Sequence, residues 1–86
     1  MTIIAPTVGR IVWYVQRKDP PKRQPLAALV TYVHDDRLVN LAVFTVDGRQ
    51  LAATSVILVQ EGDPKPDDSY CKWMPYQLGQ AKKHAE

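Results

Sequence analysis

His34, Asp35 and Asp36 form a run that joins an imidazole to two carboxylates. Such a set can ligate a metal ion or orient a general base. Successive side chains of an extended strand point to opposite faces, so the three cannot converge there. Asp35 and Asp36 suit a solvated turn instead. Cys71, the sole cysteine, has no activating motif beside it, and His84 lies near the terminus. Gly48 and Gly62 are isolated, and nothing in the chain resembles a glycine-rich phosphate loop. The residues therefore predict no catalytic group, no metal site and no cofactor, and the chain reads as non-enzymatic.

Binding chemistry is better represented. Residues 17–24 carry Arg17, Lys18, Lys22 and Arg23 against Asp19, a net +3, whereas residues 60–69 carry Glu61, Asp63, Asp67 and Asp68 against Lys65, a net −3. Opposed loops of this kind predict a polarised molecule that attracts phosphate or an acidic partner, or that associates head to tail. The bland account is that both loops are simply solvated. The aromatics Trp13, Tyr14, Tyr32, Phe44, Tyr70, Trp73 and Tyr76 include a cluster in Tyr-Cys-Lys-Trp-Met-Pro-Tyr. Trp13, Phe44 and Trp73 are assigned to a small core, since large aromatics dominate such cores. Tyr14, Tyr70 and Tyr76 are assigned to the surface. The candidate binding surface is thus Tyr14, Arg17, Lys18, Lys22, Arg23, Tyr70 and Tyr76.

The elements that must position these residues are mostly strands. Val8–Gln16 is rich in β-branched and aromatic residues. Its cleaner apolar set, Gly9, Ile11, Trp13 and Val15, is assigned to the core. The three prolines of residues 17–25 exclude a central strand there. Leu26–His34 and Leu38–Val46 read as strands around a short turn at residues 35–37. Val39, Leu41 and Val43 compete with Leu38, Ala42, Phe44 and Val46 for the inner face of the third strand. Asp47-Gly48 predicts a tight hairpin whose two central residues both take positive φ. A fourth strand follows over Arg49–Val59, with a bulge or bend in Ala52–Ser55. Residues 60–69 are a second proline-rich loop, Tyr70–Met74 a short closing strand ended by Pro75, and Tyr76–Lys83 one or two helical turns weakened by Gly79. The fold class is mainly β, a small five-stranded SH3-like barrel with a short C-terminal helical turn. An OB-like barrel fits less well, because it usually carries a helix where this chain has a two-residue turn. The domain spans residues 8–76, between a tail at 1–7 and a helical turn or frayed tail at 77–86.

With 86 residues the chain holds one domain, and its 45% hydrophobic content excludes intrinsic disorder. A formal charge of +2 is only mildly basic. One cysteine excludes an intrachain disulfide and fits a reducing compartment. The first residues lack the pattern of a signal peptide, and no apolar run is long enough for a membrane span. A cytoplasmic protein, or one assembled into a virion, is expected.

The segments GRIVWYV, LAALVTYVHDDRLVNLAVFTVDG and YCKWMPYQ together resemble small uncharacterised proteins of tailed bacteriophages and prophages. The likeness spans about Val8 to Lys82 in overall pattern and includes no diagnostic motif. It implies an SH3-like barrel acting as a minor virion or assembly component or a host-factor binder, and carries no activity or functional residue. The expected function is a protein-interaction module with an unidentified protein partner. A nucleic-acid-binding barrel is the rival, a self-assembling subunit the third reading, and no membrane partner is expected.

Overall fold

The computed structural model describes residues 3–16 and 24–85, with side chains as far as Ala81. Arg17, Lys18, Lys22 and Arg23 lie outside the described residues. Five strands, β1 (Ile11–Val15), β2 (Leu26–Asp35), β3 (Leu38–Phe44), β4 (Gln50–Val59) and β5 (Tyr70–Lys72), precede one helix, α1 (Pro75–Ala85). The strands close into a barrel in the order β1-β2-β3-β4-β5. Neighbours are antiparallel except β4 and β5, which pair in parallel through Ile57–Tyr70, Leu58–Cys71 and Val59–Lys72. The mainly β barrel with a short C-terminal helix is the expected fold class.

Strand β1 is shorter than the sequence suggests, and this reverses its inner face. A turn in which Arg10 N–H donates to Thr7 O at 3.2 Å, with Gly9 at φ 98°, delays its start. Within Ile11–Val15 the inner residues are Val12, fully buried, and Tyr14, packed against the core. Arg10 and Gln16, whose polarity argued against this face, fall off the strand ends. Ile11, Trp13 and Val15, expected in the core, point outward. The competing faces of β3 resolve the same way. Val39, Leu41 and Val43 are buried, and Ala42 and Phe44 belong to the outer layer. With Leu26, Ala28, Val30, Val56, Leu58 and Cys71 these residues fill the barrel. Small and medium aliphatic side chains suit a narrow five-stranded interior, which leaves Trp13 and Phe44 outside.

The β3–β4 turn departs from the two-residue form. Gly48 N–H donates to Thr45 O at 2.9 Å, Thr45 N–H donates to Arg49 O at 2.8 Å, and of the pair Asp47-Gly48 only Gly48 has positive φ, at 85°. This is a three-residue connection, a turn followed by a glycine bulge. Asp47 stays at negative φ while the Thr45 hydroxyl bonds its carboxylate and also accepts from Arg49 N–H. That contact with Thr45 holds the Asp47 carboxyl below the usual range. The bulge expected in β4 is present. The β3 register jumps between Val39 and Leu41, and Ser55 takes φ 54°. Asn40 Oδ1 receives the Ser55 N–H at 2.8 Å and lies 3.1 Å from His34 Nε2. His34 and Asn40 thus support the bulge, and Asp35 closes the adjacent turn by accepting from Arg37 N–H at 2.7 Å.

Trp73, 2% exposed, Ile4 and Leu78 pack against the core. The segment read as an N-terminal tail is therefore anchored, with Pro6 buried and Ile4 bonded through both backbone groups to Gln60. Helix α1 is longer than one or two turns. Pro75 is well placed in its first turn, where its missing N–H costs nothing. Gln77 Oε1 accepts from Met74 N–H at 2.8 Å, and Gln77 Nε2 donates to Ile11 O at 2.8 Å, which ties the helix to β1. These contacts override Gly79. A Cβ built at Gly79 meets nothing within 4 Å. Gly79→Ala is accordingly expected to stabilise the fold by about 0.5–1 kcal/mol in urea denaturation. An unchanged or lowered midpoint would show that α1 contributes nothing to global stability.

Candidate interaction surface

Residues paired across a sheet share a face. The register places Ile11, Leu29, Ala42 and Ala52 in one row across β1, β2, β3 and β4, and Trp13, Ala27, Phe44 and Gln50 in the next. Both rows are on the outer face, because the intervening Val12, Ala28 and Val43 are buried in the barrel. The outer wall is thus apolar over three strands. Ile11 is 41% exposed, Ala27 and Ala52 are exposed, and Trp13, Leu29, Ala42 and Phe44 are half-buried. Lys72, paired with Trp13, holds its ammonium 5.8 Å from the centroid of the indole. Beyond Phe44 the wall runs into a cleft of about 390 Å³ lined by Pro25, Leu26, Ala27, Phe44 and Val46, with Gln24 and Thr45 at its polar side. Val46, at the hairpin tip, is 85% exposed.

The sequence-based surface is only partly assembled. Tyr14 is half-buried and faces inward, Tyr76 is exposed on α1, and Tyr70 is buried. The surface assignment of Tyr70 is therefore corrected. It pairs with Val15 and Ile57, so it belongs to the outer layer, yet it is covered there. Val15 opposes Tyr70, so β1 ends beside the start of β5. Gln24 and Pro25 line the cleft, and Arg23 and Lys22 precede them directly.

At the other end, the acidic loop is tied to the β2–β3 turn. Asp63 accepts from Arg37 Nε at 2.8 Å and Nη2 at 3.3 Å, and from Gln60 N–H at 3.0 Å. The Arg37 hydrogen bond, followed by that of Gln60, lowers the Asp63 carboxyl below its ordinary 3.8. A carboxyl lowered in the fold contributes stability that is present above its unfolded pKa and lost as pH falls through the folded value. Acid titration below about pH 4 should therefore weaken the fold, and Arg37→Met should flatten that limb in a pH series of urea midpoints. Identical acid limbs in parent and variant would show that the pair contributes nothing.

Cys71 is fully buried, donates to Ile57 O at 3.5 Å, and burial pushes its thiol up to about 12. It forms part of the core, where a buried, protonated thiol is a poor nucleophile. Among the described residues no group of three or more His, Cys, Asp or Glu side chains is arranged to hold a metal ion, and no helix is long and apolar enough to cross a membrane. The sequence reading missed the outer wall and its cleft. Asn40 was the available signal, since a polar residue sharing a face with Ala42 and Phe44 marks that face as the outer one. Compared with known proteins, the chain matches no family model, no curated protein and no solved structure.

Proposed function

We propose that the protein is a non-enzymatic interaction module whose outer wall docks an apolar surface of another protein, with carboxylates of that partner attracted by Arg49 and the basic segment of residues 17–24. The observation that supports this is the continuous apolar face from Ile11 and Trp13 through Leu29 to Phe44 on a barrel whose interior is already filled. Contiguous exposed apolar patches on small proteins mark interaction sites. Arg49 at the hairpin base and Lys22 and Arg23 before the cleft supply positive charge, and Asp47 is engaged by Thr45. A role as a virion component or host-factor binder belongs to this reading through the overall sequence pattern alone.

A nucleic-acid-binding barrel is the rival, and Trp13 beside Lys72 is the observation that favours it. A photo-crosslinking residue at the exposed Ala27 separates the two. The expected result is discrete protein adducts that Ile11→Asp abolishes. Crosslinks indifferent to Ile11→Asp would overturn the reading. So would salt-sensitive amide shifts at Trp13 and Lys72 on adding short oligonucleotides, since phosphate binding weakens steeply with salt.

A further inference from the structure

A second cleft, of about 280 Å³, lies between the N-terminal segment, the start of β1 and α1, beside the Ile11 end of the apolar wall. It is lined by Ile4, Arg10, Tyr76, Gln77, Gln80 and Ala81. Arg10 is placed there by Trp73, whose indole ring lies 5.8 Å from the guanidinium carbon. Trp73 is itself buried, at 2% exposure, and donates its Nε1–H to Gln60. The exposed guanidinium thus lies over a ring packed in the core. Among the described residues no carboxylate bonds it, and the ion pair found there joins Arg37 and Asp63. Its fork of donors, which matches a carboxylate bidentately, has no hydrogen-bond partner among the described residues.

The other walls fit the same class of ligand. Tyr76 is 73% exposed and offers a ring and a hydroxyl, and Gln80 contributes a half-buried amide. Gln77 is occupied, since both ends of its amide bond backbone groups, so it serves as a rigid wall. Ile4 and Ala81 are apolar. A guanidinium at one side, a phenol ring and aliphatic groups at the others, and about 280 Å³ between them suit a small acid with an aromatic or aliphatic body.

We infer that the Arg10–Tyr76 cleft binds a carboxylate carried on an apolar group, either a free small acid or the C-terminal carboxylate of a peptide. Arg10 takes the two carboxylate oxygens, Gln80 donates from its amide, and Tyr76 packs on the apolar body. The site shares no lining residue with the outer wall and uses the one surface tyrosine of the sequence analysis that stays exposed.

The test is an NMR titration of the whole chain with benzoate, with benzamide as the uncharged control. Resonances to follow are the Arg10 Nε–H, the Trp73 Nε1–H and the Gln80 amide. The expected result is saturable shifts with benzoate at a Kd on the order of a few millimolar, and none with benzamide. Arg10→Gln should weaken binding at least about tenfold, the scale of a lost charge-assisted pair. Tyr76→Ala, at an exposed position that leaves the fold intact, should weaken it severalfold. An acetylated dipeptide with a free C-terminus, compared with its amidated form, distinguishes the peptide terminus from the small acid. Benzamide shifts equal to those of benzoate would overturn the inference, as would benzoate binding unchanged in Arg10→Gln or shifts that fail to saturate.

Discussion

Gln60→Leu is expected to destabilise the protein by about 3 kcal/mol or more, a large share of what so small a domain has to lose. Gln60 is 1% exposed and uses its whole amide. Its Oε1 accepts from Ile4 N–H at 3.0 Å and from Trp73 Nε1–H at 3.2 Å. Its Nε2 donates to Ile4 O at 2.9 Å and to Asp36 O at 2.8 Å. One side chain thus joins the N-terminal segment, the β2–β3 turn and the tryptophan beneath α1. Leucine has a similar volume, so the loss comes from polar groups left without partners. Each such buried group costs about 1–3 kcal/mol, and the indole N–H has no route to water. Thermal unfolding should fall by about 12 °C or more.

Gln60→Glu separates polarity from volume. At neutral pH it sets a carboxylate against the carbonyl oxygens of Ile4 and Asp36. Burial raises the pKa of such a group, so its penalty is full above the folded pKa, shrinks as pH falls from there toward the unfolded pKa, and is gone below it. The gap between parent and Gln60→Glu should therefore narrow between about pH 7 and pH 4. A loss under about 1 kcal/mol for Gln60→Leu would mean that the end of the barrel is wet, and that the hydrogen bonds of Gln60 are exchanged for water at little cost.

Cys71 should react with thiol reagents at least about a thousandfold more slowly in the folded protein than in urea. The rise of the thiol pKa to about 12 alone lowers the thiolate fraction at neutral pH by about that factor. Complete burial adds a steric block. The residue sits at the centre of β5, the three-residue strand that closes the barrel between β1 and β4. Labelling therefore reports opening of that closure. If β5 opens only with the whole barrel, the labelling rate follows global stability, and Gln60→Leu accelerates it by the same factor as it raises the unfolded population. A folded-state rate within about tenfold of the unfolded one would show that β5 frays on its own and that the barrel is closed only part of the time.

Much of the architecture is legible in the residue order. Runs of β-branched and aromatic residues, broken by two proline-rich segments, mark five strands. Gly48 marks the hairpin, and the weak strand residues Ala52–Ser55 mark the bulge. The helix was partly hidden, because Gly79 lowers local propensity, whereas the contacts of Gln77 and Leu78 that stabilise α1 are made with distant residues. The site was less legible. Ile11, Trp13 and Val15 look like a core stripe, and the neighbouring set containing Arg10 and Gln16 does not.

By itself the sequence determined element types and their order, the exclusion of a disulfide framework, and the net charge of each loop, because these depend on composition and on neighbours in the chain. Tertiary structure decided which face of β1 is buried, since a turn at Gly9 shortens the strand and removes Arg10 from it. It also decided that Tyr70 is covered and that Arg10, Trp73 and Tyr76 share one end of the barrel. Each of these follows from pairing between residues far apart in the chain, where a shift of one residue exchanges the two faces of a strand.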